Sequence, residues 1–313
     1  GRDLARRVRH RLVDLLRGGR LSAVERAEAG DVLAQLGDPR FWEDAWFLPD
    51  EPLLGFVEIP EGPFLMGSNK ERDPMAYDDE LPQHKVDLPT YYVARYPVTV
   101  AQFHAFVEDS GYEPGDPDSL RGVSNHPVVN VTWHEALKYC DWLTERLRAW
   151  DETPEPLATL LREEGWAITL PSDAEWEKAA RGTDGRIFPW GEQADPERAN
   201  YSDTGIGTTS AVGCFPDGAS PSEVEDLSGN VWEWTRSLWG TDWQKPDFGY
   251  PYDSEDGRED LKAANDVRRV LRGGSFVGDG GDVRCAVRLR PDPYHRYRLI
   301  GFRVVASPVR SDL

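Results

Sequence analysis

From Gly182 onward the chain runs for about 120 residues without a traceable helical period. Gly, Pro, Trp and Asp dominate, broken by short strand-like pieces. A stretch that long inside one folded unit is either functional or held by something other than regular structure, and bound cations are one such device. It excludes a helical bundle, in agreement with 29 Gly and 24 Pro. Core material is still ample, with 39% hydrophobic residues and 12 Trp. The last part, Arg269 to Val305, is framed by RVLRGGSF and IGFRVV, which read as buried strands joined to a glycine turn. Between them Gly, Asp, Pro, Tyr, His, Leu and Arg follow neither the helical nor the strand period. A firm frame around an arbitrary filling is how a scaffold presents a surface.

Upstream the text is more regular. Leu4, Val8, Leu12, Leu15 and Leu16 fall at helical spacing until Gly18-Gly19. Ser22 with Glu25 forms a capping box that starts a second helix through Leu36, stopped by Gly37. The first helix carries Arg2, Arg6, Arg7, Arg9, Arg11, Arg17 and Arg20 against Asp3 and Asp14. Such a basic face suits the acidic body, another domain or an anionic surface, and it equally suits a solvated linker hairpin. Residues 1–40 are therefore a helical hairpin and 41–55 a connector rich in aromatics. A main domain spans 56–308. FVEIPEGPFLMGS and HKVDLPTYYVARYPVT read as strand pairs. Thr99 with Gln102, Thr132 with Glu135 and Ser172 with Glu175 open three further helices.

A net charge of −20 repels phosphate backbones, so nucleic acid is a poor partner. No apolar run reaches the roughly 20 residues of a membrane helix. GRDLARR lacks the apolar core of a signal peptide, and Cys140, Cys214 and Cys285 form no spaced framework. A cytoplasmic protein with reduced thiols is expected, and what precedes Gly1 in the gene is open.

FVEIPEGPFLMGS, YPVTVAQF, HPVVNVTWHEALKYCDWL, LPSDAEWEKAARG, FPWGE, DLSGNVWEWT, RVLRGGSF and GFRVV occur in that order. Together they resemble the formylglycine-generating enzyme (sulfatase-modifying factor) family over roughly Phe56 to Val305. The resemblance implies an α+β, C-type-lectin-like fold with little regular structure. It does not carry the family's chemistry across. Catalytic members hold copper with two cysteines just after the GGS turn, a soft site suited to Cu(I). Here Gly273-Gly274-Ser275 is followed by Phe276, Val277, Gly278, Asp279, Gly280, Gly281 and Asp282, and Cys285 sits in framework text. A second branch resembles ergothioneine-type sulfoxide synthases, whose histidines bind iron. None of His10, His84, His104, His126, His134 and His295 forms an HxxxH or HxxE pair on one helix face. Neither copper nor iron is expected.

The family's structural calcium sites transfer better, since their oxygen ligands are the hard donors calcium prefers. The resemblance places one site on Asp226, the carbonyls of Gly229 and Val231, and Glu233. It places another on Asn200, the Tyr201 carbonyl, Asp203 and the Ile206 carbonyl. The alternative is that Asp226 and Glu233 only cap turns. Trp232 and Trp234 alternate along a strand and should be core.

The segment from about 276 to 299 holds Val277, Gly278, Asp279, Val287, Leu289, Pro291, Asp292, Tyr294, His295, Tyr297 and Leu299. Each type is reached from an AAC codon by changing only adenines. Adenine-specific mutagenesis is how diversity-generating retroelements vary their target proteins, which commonly carry a C-type-lectin fold. The chain thus resembles a retroelement variable protein, although an ordinary diverged binding domain would carry the same text. Its variable residues should face outward, while Val270, Leu271, Phe276, Ile300, Phe302 and Val304 should be buried. The expected function is non-catalytic binding of a protein or other macromolecule through the C-terminal surface. The alternatives are a family enzyme with altered metal-dependent oxidative chemistry and a sensor or effector module of a larger signalling protein.

Overall fold

The computed structural model describes residues 2–308. Helices α1 (Arg2–Arg17) and α2 (Ala23–Leu36) form the expected hairpin. It docks through apolar residues of both helices, and of the α1 arginines Arg17 lies 3.8 Å from Glu51. Gly30 lets α2 approach so closely that a Cβ there would meet the Ala211 Cβ at 2.6 Å. Leu16, Ala29 and Leu33 pack with Ala211, Cys214 and Phe215. The buried Arg26 donates to the carbonyls of Cys214 and Leu21 at 2.8 and 2.6 Å. On α1 itself Leu4 and Val8 stay exposed, and Arg6 and Arg7 pair only with Asp3.

The connector holds a two-residue ladder of β1 (Phe41–Trp42) and β2 (Leu48–Pro49). Its indoles seat on the body, with Trp42 5.3 Å from Trp150 and Trp46 6.0 Å from Trp142. Beyond it lie β3 (Phe56–Ile59), β4 (Gly62–Met66), β5 (His84–Leu88) and β6 (Tyr91–Ala94). The consecutive strands exchange partners: β4 pairs with β5, whereas β3 pairs with β6.

Helices α3 (Val100–Ser110), α4 (Trp133–Ala149) and α6 (Asp173–Arg181) begin where their capping boxes place them. In all four boxes, that of α2 included, the cap hydroxyl accepts the third amide at 3.0–3.4 Å. The third side chain reaches back to the cap amide at 2.7–2.8 Å. Helix α5 (Leu157–Glu163) starts after Pro156 with no side-chain cap and leads into β7 (Trp166–Thr169).

After Gly182 the described residues hold two single-turn 3-10 segments and four strands: β8 (Trp232–Gly240), β9 (Arg268–Arg272), β10 (Ile300–Gly301) and β11 (Val305–Pro308). The last strand inserts between β6 and β7, so the main antiparallel sheet runs β3-β6-β11-β7. The other large sheet runs β10-β8-β9, parallel on one side of β8 and antiparallel on the other. The chain thus leaves one flank of β8 at Arg272 and returns to the opposite flank at Ile300. Everything between is a loop anchored at both ends to the same buried strand. Val270, Leu271, Phe276, Ile300, Phe302 and Val304 are buried as expected. Trp234 lies in the core, its indole donating to the Val131 carbonyl at 3.1 Å, and Trp232 is 9% exposed.

Candidate recognition surface

The loop opens on Gly273 and Gly274, both at positive φ (99° and 74°). A Cβ on Gly274 would meet Val283 at 2.6 Å, so the turn requires glycine. Past the turn the chain rises to a tip at Val277–Asp279, descends through Val283–Pro291, and forms a second exposed lobe at Asp292–Leu299. Val277, Asp279, Tyr294, His295 and Tyr297 are exposed, while Gly278, Leu289, Asp292 and Leu299 are half-buried.

Two expected surface residues are not on the surface. Val287 is 3% exposed and sits in the core cluster with Trp234 and Leu271, and Pro291 is buried. The descending stretch pairs with β9: Leu271 and Leu289 exchange both backbone hydrogen bonds at 2.7 and 3.1 Å, and the Arg269 amide donates to the Pro291 carbonyl at 3.2 Å. That short ladder imposes a two-residue alternation in which Val287 and Pro291 are buried and Leu289 between them is half-buried at the cleft.

Arginines hold the loop in place. Arg284 is buried, its guanidinium 2.6 Å from Asp73 and 2.7 Å from Glu80, and its Nε donates to the Gly281 carbonyl. Arg288 meets Asp173 at 3.1 Å, Arg290 meets Asp79 at 2.7 Å, and Arg296 meets Glu135 at 3.3 Å. Arg272, at the end of β9, pairs with both Asp173 and Glu177. Burial by itself would raise the Asp173 carboxyl, but Arg272 and Arg288 outweigh it and hold the group below the usual carboxylate range. Sequence reasoning passed over these arginines. Their signal is the alternation in VRCAVRLR, which places Arg284, Arg288 and Arg290 at even spacing.

The second lobe rests on the start of α4. The Trp133 amide donates to the Pro293 carbonyl, the Asn130 amide to the Tyr297 carbonyl, and the His134 ring lies 4.7 Å from that of Tyr294. Burial, with Arg269 and Lys138 nearby, holds His134 below the usual imidazole range. Two open clefts flank the descending stretch. One, of about 410 Å³, is lined by Tyr77, Trp232, Trp243, Val287, Leu289 and Arg290. The other, of about 420 Å³, is lined by Met75, Phe188, Asp279, Gly281 and Arg284 among others. Exposed aromatic faces beside arginine–carboxylate pairs suit contact with a macromolecule more than they suit bond-making chemistry.

All three cysteines are buried. Cys285 is buried against the Trp176 cluster, and burial pushes its thiol up to about 12. Cys214 is also pushed up to about 12 and Cys140 well above the usual thiol range, in each case by burial. The two calcium candidates differ. Glu233 is spent inside the fold, accepting from Arg303 at 2.6 and 2.8 Å and from the Trp176 indole at 2.6 Å. In this structure the cation beside it is the Arg303 guanidinium. Asp226 accepts from the Gly213 amide at 2.7 Å, and burial pushes its carboxyl up to about 6. At Asn200 the fit is better. Its amide nitrogen is bonded to the Thr208 carbonyl, yet its buried Oδ1 has no partner. The Tyr201 and Ile206 carbonyls and the exposed Asp203 lie on the same short loop.

Residues 48–308 match the sulfatase-modifying factor enzyme 1-like domain. The chain belongs to that family. The match begins inside the connector, so residues 48–55 belong to the family domain. Formylglycine-generating enzyme of Thermomonospora curvata is 28% identical over 323 residues, covering 83% of this chain and 96% of the relative. Serine/threonine-protein kinase pkn1 of Chlamydia pneumoniae is 31% identical over 275 residues. That alignment covers 82% of this chain but 38% of the kinase, so the chain spans well under half of that relative. Among solved structures, PvdO from Pseudomonas aeruginosa aligns with a TM-score of 0.61 at 24% identity, covering 80% of this chain and 94% of that one. Treponema denticola variable protein 1 aligns with a TM-score of 0.59 at 24% identity, covering 81% and 95%. The fold is the α+β, C-type-lectin-like fold of the formylglycine-generating-enzyme type. Among the described residues no helix is long and apolar enough to cross a membrane.

Proposed function

We propose that this family member is a non-catalytic binding protein whose exchangeable recognition surface is formed by Val277, Gly278, Asp279, Leu289, Asp292, Tyr294, His295, Tyr297 and Leu299. One observation carries the reading. The exposed side chains stand on a backbone pinned by other residues, namely the β8–β9–β10 frame and the arginines that pair with Asp73, Asp79, Glu80, Glu135 and Asp173. Such a loop can change its outward residues without losing its shape. Tyr294 and Tyr297, each 51% exposed, offer large amphipathic area with few rotors for a macromolecular partner. The fold shared with a variable protein supports the retroelement origin. Calcium at Asn200 would brace the surface directly, because the Ser202 amide in that loop donates to the Gly278 carbonyl at 2.9 Å. The test is the gene locus. A neighbouring reverse transcriptase and an adenine-rich template repeat, with sibling differences confined to these positions, are expected; their absence ends the retroelement reading.

A second reading is favoured by the share of the Chlamydia kinase that this chain covers. The domain would then be the sensing part of a longer signalling protein, with the same surface as its input. An enzyme of altered chemistry is the remaining alternative, and a Cu(I) titration separates it: stoichiometric tight binding would refute a non-catalytic role.

A further inference from the structure

Of the thirteen large hydrophobic side chains exposed among the described residues, five belong to the N-terminal hairpin. They are Leu4, Val8, Val24, Val32 and Leu36, each at least 40% exposed. Singly exposed apolar residues are ordinary, but most of these gather on one side. A helix turns about 100° per residue. On α1, Leu4 and Val8 therefore lie away from Arg17, whose guanidinium approaches Glu51 of the body at 3.8 Å. On α2, Val32 lies on the reverse of Gly30, whose backbone presses on Ala211. Arg9 of α1 donates to the Leu36 carbonyl at 3.4 Å, so Val8 and Leu36 stand at the same end of the hairpin. The outer face of the hairpin is thus an apolar strip that nothing covers among the described residues.

Charge on this face is divided between the helices. Helix α1 carries Arg2, Arg6, Arg7, Arg9, Arg11 and Arg17 against Asp3 and Asp14. Helix α2 carries Glu25, Glu28 and Asp31 against Arg26 alone, and Arg26 is buried in the body. Some of these groups have local partners: Arg6 and Arg7 meet Asp3, Glu25 closes its capping box, and Asp31 meets His126. Arg11 and Glu28 are exposed and have no ion-pair partner among the described residues. A partner covering both helices must set acid against α1 and base against α2. A second copy does so when it is turned over by a two-fold axis running along the hairpin, since each α1 then lies on the other copy's α2. An anionic lipid surface suits α1 alone, and the acids of α2 oppose it. We propose that the outer face of the hairpin is an isologous dimer interface, with α1 of each copy packed over α2 of the other. Helices of 16 and 14 residues give a face about 22 Å long and about 20 Å wide. Roughly 900 Å² is then buried for the pair, at the low end for a specific interface, so the dimer is weak and concentration-dependent.

Sedimentation velocity of the full chain, from about 1 to about 300 µM, should show monomer passing to dimer. Val8→Glu and Leu36→Glu, both at exposed positions, should each weaken the dimer at least tenfold while the thermal melt of the dilute chain stays unchanged. Arg11→Glu and Glu28→Arg should each weaken it about fivefold or more. An equimolar mixture of those two variants should regain the parent affinity, because each supplies the charge that the other now needs. A chain that stays monomeric throughout the range would overturn the proposal. So would a dimer indifferent to Val8→Glu and Leu36→Glu, or a mixture no tighter than its two components. Flotation on phosphatidylserine vesicles by a chain that is monomeric without them would assign the face to lipid and overturn it equally.

Discussion

If the loop is an exchangeable surface on a fixed frame, asparagine should be tolerated at the exposed positions and refused at the buried one. Asparagine is the informative substitute, since it is what an unvaried AAC codon encodes. The perturbation is a fivefold variant, Val277→Asn, Asp279→Asn, Tyr294→Asn, His295→Asn and Tyr297→Asn, set against Val287→Asn alone. All five sites are exposed, with Val277 at 47% and both tyrosines at 51%. Surface changes typically stay within ~0.5 kcal/mol each, so the five together should remain within about 2.5 kcal/mol. Val287 is 3% exposed in the main core cluster. Its replacement forfeits about 1.5–3 kcal/mol of burial and leaves an amide short of partners, at about 1–3 kcal/mol more. One buried change should therefore cost about 3–5 kcal/mol, more than five exposed ones. Urea unfolding followed by tryptophan fluorescence reads both, provided the transition is cooperative. The reasoning fails if the fivefold variant unfolds, or if Val287→Asn melts with the parent chain.

Two further outcomes follow from the ion pairs and the unpartnered amide. Calcium at 100 times its dissociation constant should stabilise the chain by about 2.7 kcal/mol. Asn200→Ala should abolish that gain and Glu233→Gln should leave it intact, since Glu233 already serves Arg303; melts in calcium and in chelator decide this. Asp173 has a folded-state pKa below its ordinary value, so its contribution is fully present above the unfolded value and is lost as pH falls through the folded one. Asp173→Asn should flatten the acid side of the stability curve. At neutral pH it should cost about 3–5 kcal/mol, because Arg272 and Arg288 lose a buried partner. A pH series of urea midpoints for both chains checks the sign.

How much of this was legible depended on whether the controlling interactions were local. A capping box spans four residues, so Ser22, Thr99, Thr132 and Ser172 announced their helices from text alone. Helix α5 has no such box and rests on packing of Leu157 and Leu161 against α4 and its neighbours, which no short window contains. The strands at 56–94 were visible as strands, but their exchange of partners is set by sheets that include β11 from the far end of the chain.

The recognition loop shows the same division, and it explains why Val287 was misplaced. Composition identified the segment correctly as a loop, yet a loop can borrow strand geometry wherever it lies along a strand. Leu289 does so against Leu271, eighteen positions away, and nothing in VRLRP distinguishes an inward valine from an outward one until that partner is known. The arginines resolve the register. Arg284 reaches Asp73 and Glu80, and Arg290 reaches Asp79, all in the loop between β4 and β5. With those guanidinium groups fixed on one side of the descending stretch, Val287 has only the core left to it. The outward residues of Val277–Asp279 and Asp292–Leu299 lie beyond that clamp on either side. A surface that must change its side chains while keeping its backbone needs this separation between anchors and presented residues.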